Sequence, residues 1–309
     1  MTHPNVIVDQ EVAEAIATGG AVVAMESTIY SRLGLPAPAN VEALTRCSVA
    51  IRAEGAVPAM VAVVAGRWHV GITGALVERV LGTDRKVAAR DLAVLAAAGA
   101  DGVTTVSATL AVAAIAGIEV FATGGIGGVH RDSEVSGDVS ADLAAIARHP
   151  VVTTCAGAKA FLDLPRTVEH LDTLGVPLLG WRHDWFPAFY TRSSGLPVQH
   201  RVESAGEVAA IFRHRPDPGS GVLLTAPIPA DAELDAAILD GAIADALAAC
   251  ATAGVRGAAV TPFLLERLEA ATGGSSVRAN LALAEHNASV AARVAVALAD
   301  AQSVARPAG

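Results

Sequence analysis

The chain has 309 residues, of which 52% are hydrophobic and only 17% charged, with a formal charge of −9. That length suits one large domain or two of ordinary size, and the apolar content can bury a large core. An acidic chain without a basic run is a poor general nucleic-acid binder, no stretch reaches the roughly 18–20 apolar residues of a membrane span, and Cys47, Cys155 and Cys250 are too scattered for a disulfide framework or a zinc spacing.

The start, Met1-Thr2-His3-Pro4, has no basic region followed by an apolar one, which predicts a soluble cytoplasmic protein. Short Val/Ile-rich runs then alternate with Ala-rich helical ones. A strand is predicted over residues 21–25, a helix over 41–54 and a strand over 59–65. A helix at 91–98, a strand at 103–106, a helix at 108–116 and a strand at 119–123 follow. Next come a helix at 141–148, a strand at 151–155, a short helix at 159–164, and strands at 176–180 and 222–225, with a turn at 214–221 before the last of these. Helices over 234–253, 262–271 and 276–299 complete the chain. Strands that alternate with helices in this way predict an α/β/α layered α/β fold around a central, mainly parallel sheet, in one domain spanning residues 1–309. Aromatic residues are only 4%, which suits tightly packed layers. In such sheets ligands gather at the carboxyl ends of the strands, and several polar residues of this chain fall there.

Glu26 ends an apolar strand. It either begins a surface loop or, if buried, has a raised pKa and serves as a general acid. The run from Thr123 through four glycines to His130 can bring backbone N–H groups against an anion or heterocycle, or can be a tight turn alone. It lacks the Walker A and G-x-G-x-x-G patterns. Asp138 and Asp142 lie four residues apart with Ser140 as a plausible helix N-cap. Two carboxylates without His or Cys suggest a hard cation bound largely through water, unless Asp142 only complements the helix dipole. Asn280 and Asn287 share one face of the last helix and need polar partners there.

Only two of the 22 basic residues are lysines, Lys86 and Lys159. A guanidinium stays protonated, whereas an amine can lose its proton and attack a carbonyl carbon. Lys159 follows the small residues Ala156-Gly157-Ala158 after a strand and is read at a helix start, where the dipole disfavours its charge and suits a nucleophile. The other reading is a lysine snorkelling outward. Lys86 fits either a phosphate contact or a solvated loop.

The segments Ala24-Met25-Glu26-Ser27-Thr28-Ile29, Ala89-Arg90-Asp91-Leu92, Thr123-Gly124-Gly125-Ile126-Gly127-Gly128-Val129-His130-Arg131, Asp138-Val139-Ser140-Ala141-Asp142-Leu143 and Cys155-Ala156-Gly157-Ala158-Lys159, with Thr261-Pro262-Phe263 and Asn280, resemble the pseudouridine-5'-phosphate glycosidase family, also called indigoidine synthase A-like. The resemblance covers nearly the whole chain. It implies the indigoidine synthase A-like fold, a homotrimer, and reversible cleavage of pseudouridine 5'-phosphate to uracil and ribose 5-phosphate. In that reaction Glu26 is the proton donor and Lys159 the nucleophile that forms a covalent imine. Lys86, Val106, Ser140, Ala141 and Asp142 are the implied substrate contacts, with Thr123, His130 and Asn280 around the base or opened sugar. Asp138 is the implied ligand of one largely water-coordinated Mn²⁺. The chain departs from the family pattern at Tyr30-Ser31-Arg32-Leu33-Gly34-Leu35-Pro36, at Ala226 and at residues 181–185, which bears on substrate preference. The alternatives are another Schiff-base lyase or aldolase acting on a sugar phosphate, and a non-catalytic sugar-phosphate binding protein.

Overall fold

The structure, a computed structural model, describes residues 3–255, 257 and 260–305. Met1 and Thr2, the start of the terminal stretch read above, lie outside the described residues. The strands are β1 (Val6–Val8), β2 (Val22–Met25), β3 (Val57–Val64), β4 (Arg67–Val70), β5 (Lys86–Val87), β6 (Gly102–Thr104), β7 (Val120–Ala122), β8 (Val152–Cys155), β9 (Leu178–Trp181), β10 (His200–Val202) and β11 (Val222–Thr225). They form one sheet in the order β1-β4-β3-β2-β7-β8-β11-β9-β10, with β6 attached to β3 and β5 to β6. Among these pairs only β3–β4 and β3–β6 are antiparallel, so the expected mainly parallel α/β sheet is what the chain builds.

Every residue of β2, β7, β8, β9 and β11 is buried. Strands buried throughout need helices on both faces, which is why they read as continuous apolar runs. Helix Val106–Ala116 and the C-terminal helix Ser275–Ala305 both pack on β2 and β7, from opposite sides.

β3 changes partner along its length. Its first half, Val57–Met60, pairs with β2 in parallel, and Ala62 and Val63 pair with β6 in antiparallel register. β2 and β6 therefore run toward each other along one edge of β3, and their carboxyl ends meet.

Strand Val222–Thr225 and helix Ala141–Arg148 fall where the sequence predicts them. The predicted strand at 103–106 stops at Thr104, and Val106 instead opens helix Val106–Ala116. Strands β1, β4, β5 and β10 were not anticipated; each has two to four residues, too few to show a period. The predicted helix at 159–164 does not form. Ala158 bridges Ile126 instead, the Lys159 N–H donates to the Ile126 carbonyl at 3.2 Å, and the Asp163 N–H donates to the Val129 carbonyl at 2.9 Å. This segment is tied to the glycine-rich loop, and the helix begins only at Leu164, where the Asp163 side chain caps the Arg166 N–H and Pro165 fits the first turn. Lys159 thus has no helix dipole behind it, and that part of the sequence argument fails.

Gly157 lies between β8 and Lys159 at φ +78°, and a Cβ there would stand 1.9 Å from the Pro187 carbonyl oxygen. Gly157→Ala combines left-handed strain with a backbone clash, so we expect a loss of more than about 2 kcal/mol in urea unfolding. A stability within error of wild type would contradict this packing.

Candidate active site

Where β2 and β6 meet, the Thr28 hydroxyl donates to the Thr104 carbonyl at 2.7 Å and the Thr104 N–H donates to Ser27 Oγ at 2.9 Å. The residue after β2 is Glu26, which is only 8% exposed. A cavity of about 270 Å³ opens at this junction. β2 contributes Glu26 to its wall, β5 contributes Lys86, and the residue after β7 is Thr123. His130 and Asp138 come from the glycine-rich loop and its continuation, and Lys159 from the loop after β8. The first turns of two helices supply Val106 and the run Ser140, Ala141 and Asp142, while the C-terminal helix supplies Asn280. Every predicted site residue borders this one cavity.

Two acids of this wall, Glu26 and Asp142, are buried and differ in their partners. Burial pushes the Glu26 carboxyl above its ordinary value, the Asp142 charge adds to this, and Lys159, the Thr123 hydrogen bond and Lys86 oppose it. Thr123 Oγ1 donates to Glu26 Oε1. Asp142 has both oxygens taken by backbone donors: Ser107 N at 3.1 Å and Gly127 N at 2.9 Å. Its carboxylate therefore fastens the start of helix Val106–Ala116 to the glycine-rich loop, and only its backbone remains to face a ligand. Gly127 must be glycine, since a Cβ would lie 2.3 Å from Ser140 Oγ.

Burial and the Lys159 charge hold the Lys86 amine below its ordinary value, against the pull of Glu26 and Asp142. Lys159 is half-buried. Two helix amino termini and two amines around one cavity make a site for an anion such as phosphate. The His130 N–H donates to the Asp138 carbonyl at 3.0 Å, and His130 Nδ1 is 3.9 Å from Asp138 Oδ2. Burial lowers the His130 imidazole although Asp138 pulls the other way. The Asp138 side chain is 44% exposed. Among the described residues no group of three or more His, Cys, Asp or Glu is placed to hold a metal. A single open carboxylate fits a hard divalent cation that keeps most of its water.

Asn280 is buried, and its Oδ1 has no protein partner. Asn287, two turns further on, donates from Nδ2 to the carbonyls of Thr123 at 2.8 Å and Gly124 at 3.1 Å. Leu33, Phe161 and Phe189, which with Ile29 form an apolar wall, lie on loops without periodicity and carry no local signal of this role. Arg90 also borders the cavity; its place in Ala89-Arg90-Asp91-Leu92 was the available signal. Of the departures, Arg32, Ala226 and residues 181–185 are not in the wall, whereas Leu33 and Gly34 of the first departing stretch are.

The profile of the family described as "Indigoidine synthase A like protein" matches residues 11–297. A protein of Methylobacterium nodulans named pseudouridine-5'-phosphate glycosidase is 49% identical, with 100% of this chain and 93% of that protein covered. A protein of the same name from Caldanaerobacter subterraneus is 46% identical over 94% of this chain and 95% of its own. Among solved structures, the prealnumycin C-glycosynthase AlnA in complex with ribulose 5-phosphate superposes with a TM-score of 0.90 at 38% identity, covering 98% of this chain and 99% of that one. An indigoidine synthase A-like protein from Thermotoga maritima gives 0.86 at 33% identity, covering 97% and 99%. With matches of this length over a shared fold, the chain belongs to the indigoidine synthase A-like family.

Proposed function

We propose that this protein is an enzyme that reversibly cleaves the carbon–carbon glycosidic bond of pseudouridine 5'-phosphate, giving uracil and ribose 5-phosphate through a covalent adduct on Lys159. The observation that carries the reading is a single cavity holding a buried carboxyl, two amines and two helix amino termini, in a chain whose relatives bear that enzyme's name.

A carbon–carbon link offers no leaving heteroatom for ordinary acid catalysis of glycoside cleavage. Glu26, whose carboxyl burial holds above its ordinary value, gives its proton to the ribose ring oxygen as the C1'–O bond opens. The Lys159 amine adds to C1' through its lone pair as the electrons of the C1'–C5 double bond left by ring opening return to the uracil ring. The adduct nitrogen then releases a proton, its lone pair forms the imine of Lys159 at C1', and the C1'–C5 bond breaks with its electron pair left on C5, which takes up that proton. Water hydrolyses the imine, releasing ribose 5-phosphate and restoring the amine. Lys86 and the first turns at Val106 and Ser140-Ala141-Asp142 hold the phosphate. Thr123, His130 and Asn280 surround the base and opened sugar, and the unpaired Asn280 Oδ1 is an acceptor for a uracil N–H. Mn²⁺ held by Asp138 and water would add positive charge at the cavity mouth. The family resemblance supports a cytoplasmic homotrimer with one catalytic domain per chain, and three free, buried cysteines suit a reducing compartment.

Incubation with Mn²⁺ and pseudouridine 5'-phosphate should release uracil, and borohydride should leave a pentose phosphate on Lys159, visible by intact mass. Lys159→Ala should show neither. Sugar-phosphate cleavage without uracil would favour an aldolase, and binding without an adduct a non-catalytic protein.

Glu26→Gln should lower uracil release by about 10²–10⁴-fold. Because the folded carboxyl binds its proton above the ordinary 4.5, its stabilising contribution is full below that pH and is lost as pH rises through the raised value. The variant should therefore melt progressively higher than wild type as pH rises from 4.5. A pH-independent difference in Tm would refute the burial argument.

A further inference from the structure

Asn287 lies outside the cavity wall, is fully buried, and is flanked on the C-terminal helix by buried Leu283, Ala284, Ala288 and Ala291. An apolar residue would suit that stripe better, because Asn287 Oδ1 finds no partner. Its Nδ2 commits both hydrogens, one to the Thr123 carbonyl and one to the Gly124 carbonyl. Reversing the amide would set Oδ1 against two carbonyl oxygens, so this orientation is fixed by chemistry. The residue whose carbonyl it grips is the one whose hydroxyl donates to Glu26 Oε1.

We propose that Asn287 is a positioning residue for the cleavage, acting through Thr123 on Glu26. By tying the Thr123-Gly124 turn to the C-terminal helix it fixes the hydroxyl on Oε1 and leaves Oε2 to carry the proton that is transferred. This rests on the reading given under Proposed function. The charged or titratable groups that act on Glu26 are Lys159, Lys86, Asp142 and Tyr30, and none of them lies on the C-terminal helix. A change at Asn287 thus reaches Glu26 through the turn.

The test is steady-state uracil release by Asn287→Leu, which matches the apolar stripe. We expect kcat to fall about 10–100-fold with KM within about threefold of wild type, the signature of lost transition-state geometry. The Thr123 hydroxyl lowers the Glu26 pKa, so loosening it should move the basic limb of the kcat–pH profile to higher pH. Thr123→Val should shift the limb in the same direction, and the double variant should be little worse than Thr123→Val alone. Should the leucine variant not fold, Asn287→Ala, which adds no charge, is read in the same way. Wild-type kcat and limb in the folded variant, a change confined to KM, or full additivity with Thr123→Val would each overturn the proposal. Wild-type protein that releases no uracil would overturn the glycosidase reading, and this one with it; active wild type with unaffected variants overturns this one alone.

Discussion

β3 is one strand serving two neighbours on the same edge, β2 along Val57–Met60 and β6 at Ala62 and Val63. In an ordinary parallel sheet the carboxyl ends of neighbouring strands lie side by side and their loops spread outward. Here two carboxyl ends point at each other, and the gap between them has to be filled. Ser27, Thr28 and Thr104 fill it with side-chain to backbone hydrogen bonds in place of ladder bonds. That closure places Glu26 beside the start of helix Val106–Ala116, and β5 rides on β6 to bring Lys86 to the same spot. A slip of one residue in the β3–β6 pairing would turn Lys86 to the other face of the sheet.

The electrostatics follow from this packing. Glu26 and Lys86 sit where water is scarce, and for both of them burial is the largest influence on the proton. It pushes both toward neutrality: the acid keeps its proton longer and the amine loses its proton sooner. Asp142 accepts two backbone N–H groups, which makes it a structural anchor between helix Val106–Ala116 and the glycine-rich loop. A phosphate entering the cavity would meet Lys86, Lys159 and two helix amino termini, the groups whose mutual repulsion an anion relieves.

Much of this was legible in the residues. The end of β2 is readable because Val22–Met25 is apolar throughout and stops at Glu26, and Lys86 and Lys159 stand out in a chain that otherwise uses arginine. The helix at 159–164 was misread because Lys, Ala and Leu favour helix locally, whereas the bridge from Ala158 to Ile126 is a contact 32 residues away in sequence that no local pattern encodes. Helix Leu164–Thr173 carried a usable signal that was passed over, Asp163 followed by Leu164-Pro165. The role of Asp142 could not be read from sequence, because its partners Ser107 and Gly127 come together only when two loops cross.

The unpaired oxygens of Asn280 and Asn287 separate two reasons for keeping a polar group in a core. Leaving a buried acceptor unsatisfied costs about 1–3 kcal/mol, so each of these oxygens is a cost that something else has to offset. Asn280 Oδ1 borders the cavity, where a ligand donor can satisfy it, and its cost is paid only while the site is empty. Asn287 Oδ1 is away from the cavity wall and stays unpaired whatever is bound. What offsets it is the opposite end of the same amide, which donates to the carbonyls of Thr123 and Gly124; the Gly124 carbonyl also accepts from the Ala156 N–H at 2.9 Å, so the Thr123 carbonyl is the one that relies on Asn287. Beyond β7 the chain keeps bonding to the end of β8, from the Thr123 N–H to the Thr154 carbonyl and from the Ala156 N–H to the Gly124 carbonyl, and the C-terminal helix adds one side chain to that pairing. Thr123 is therefore held from two sides, by β8 through its N–H and by Asn287 through its carbonyl, and its hydroxyl is left to meet Glu26.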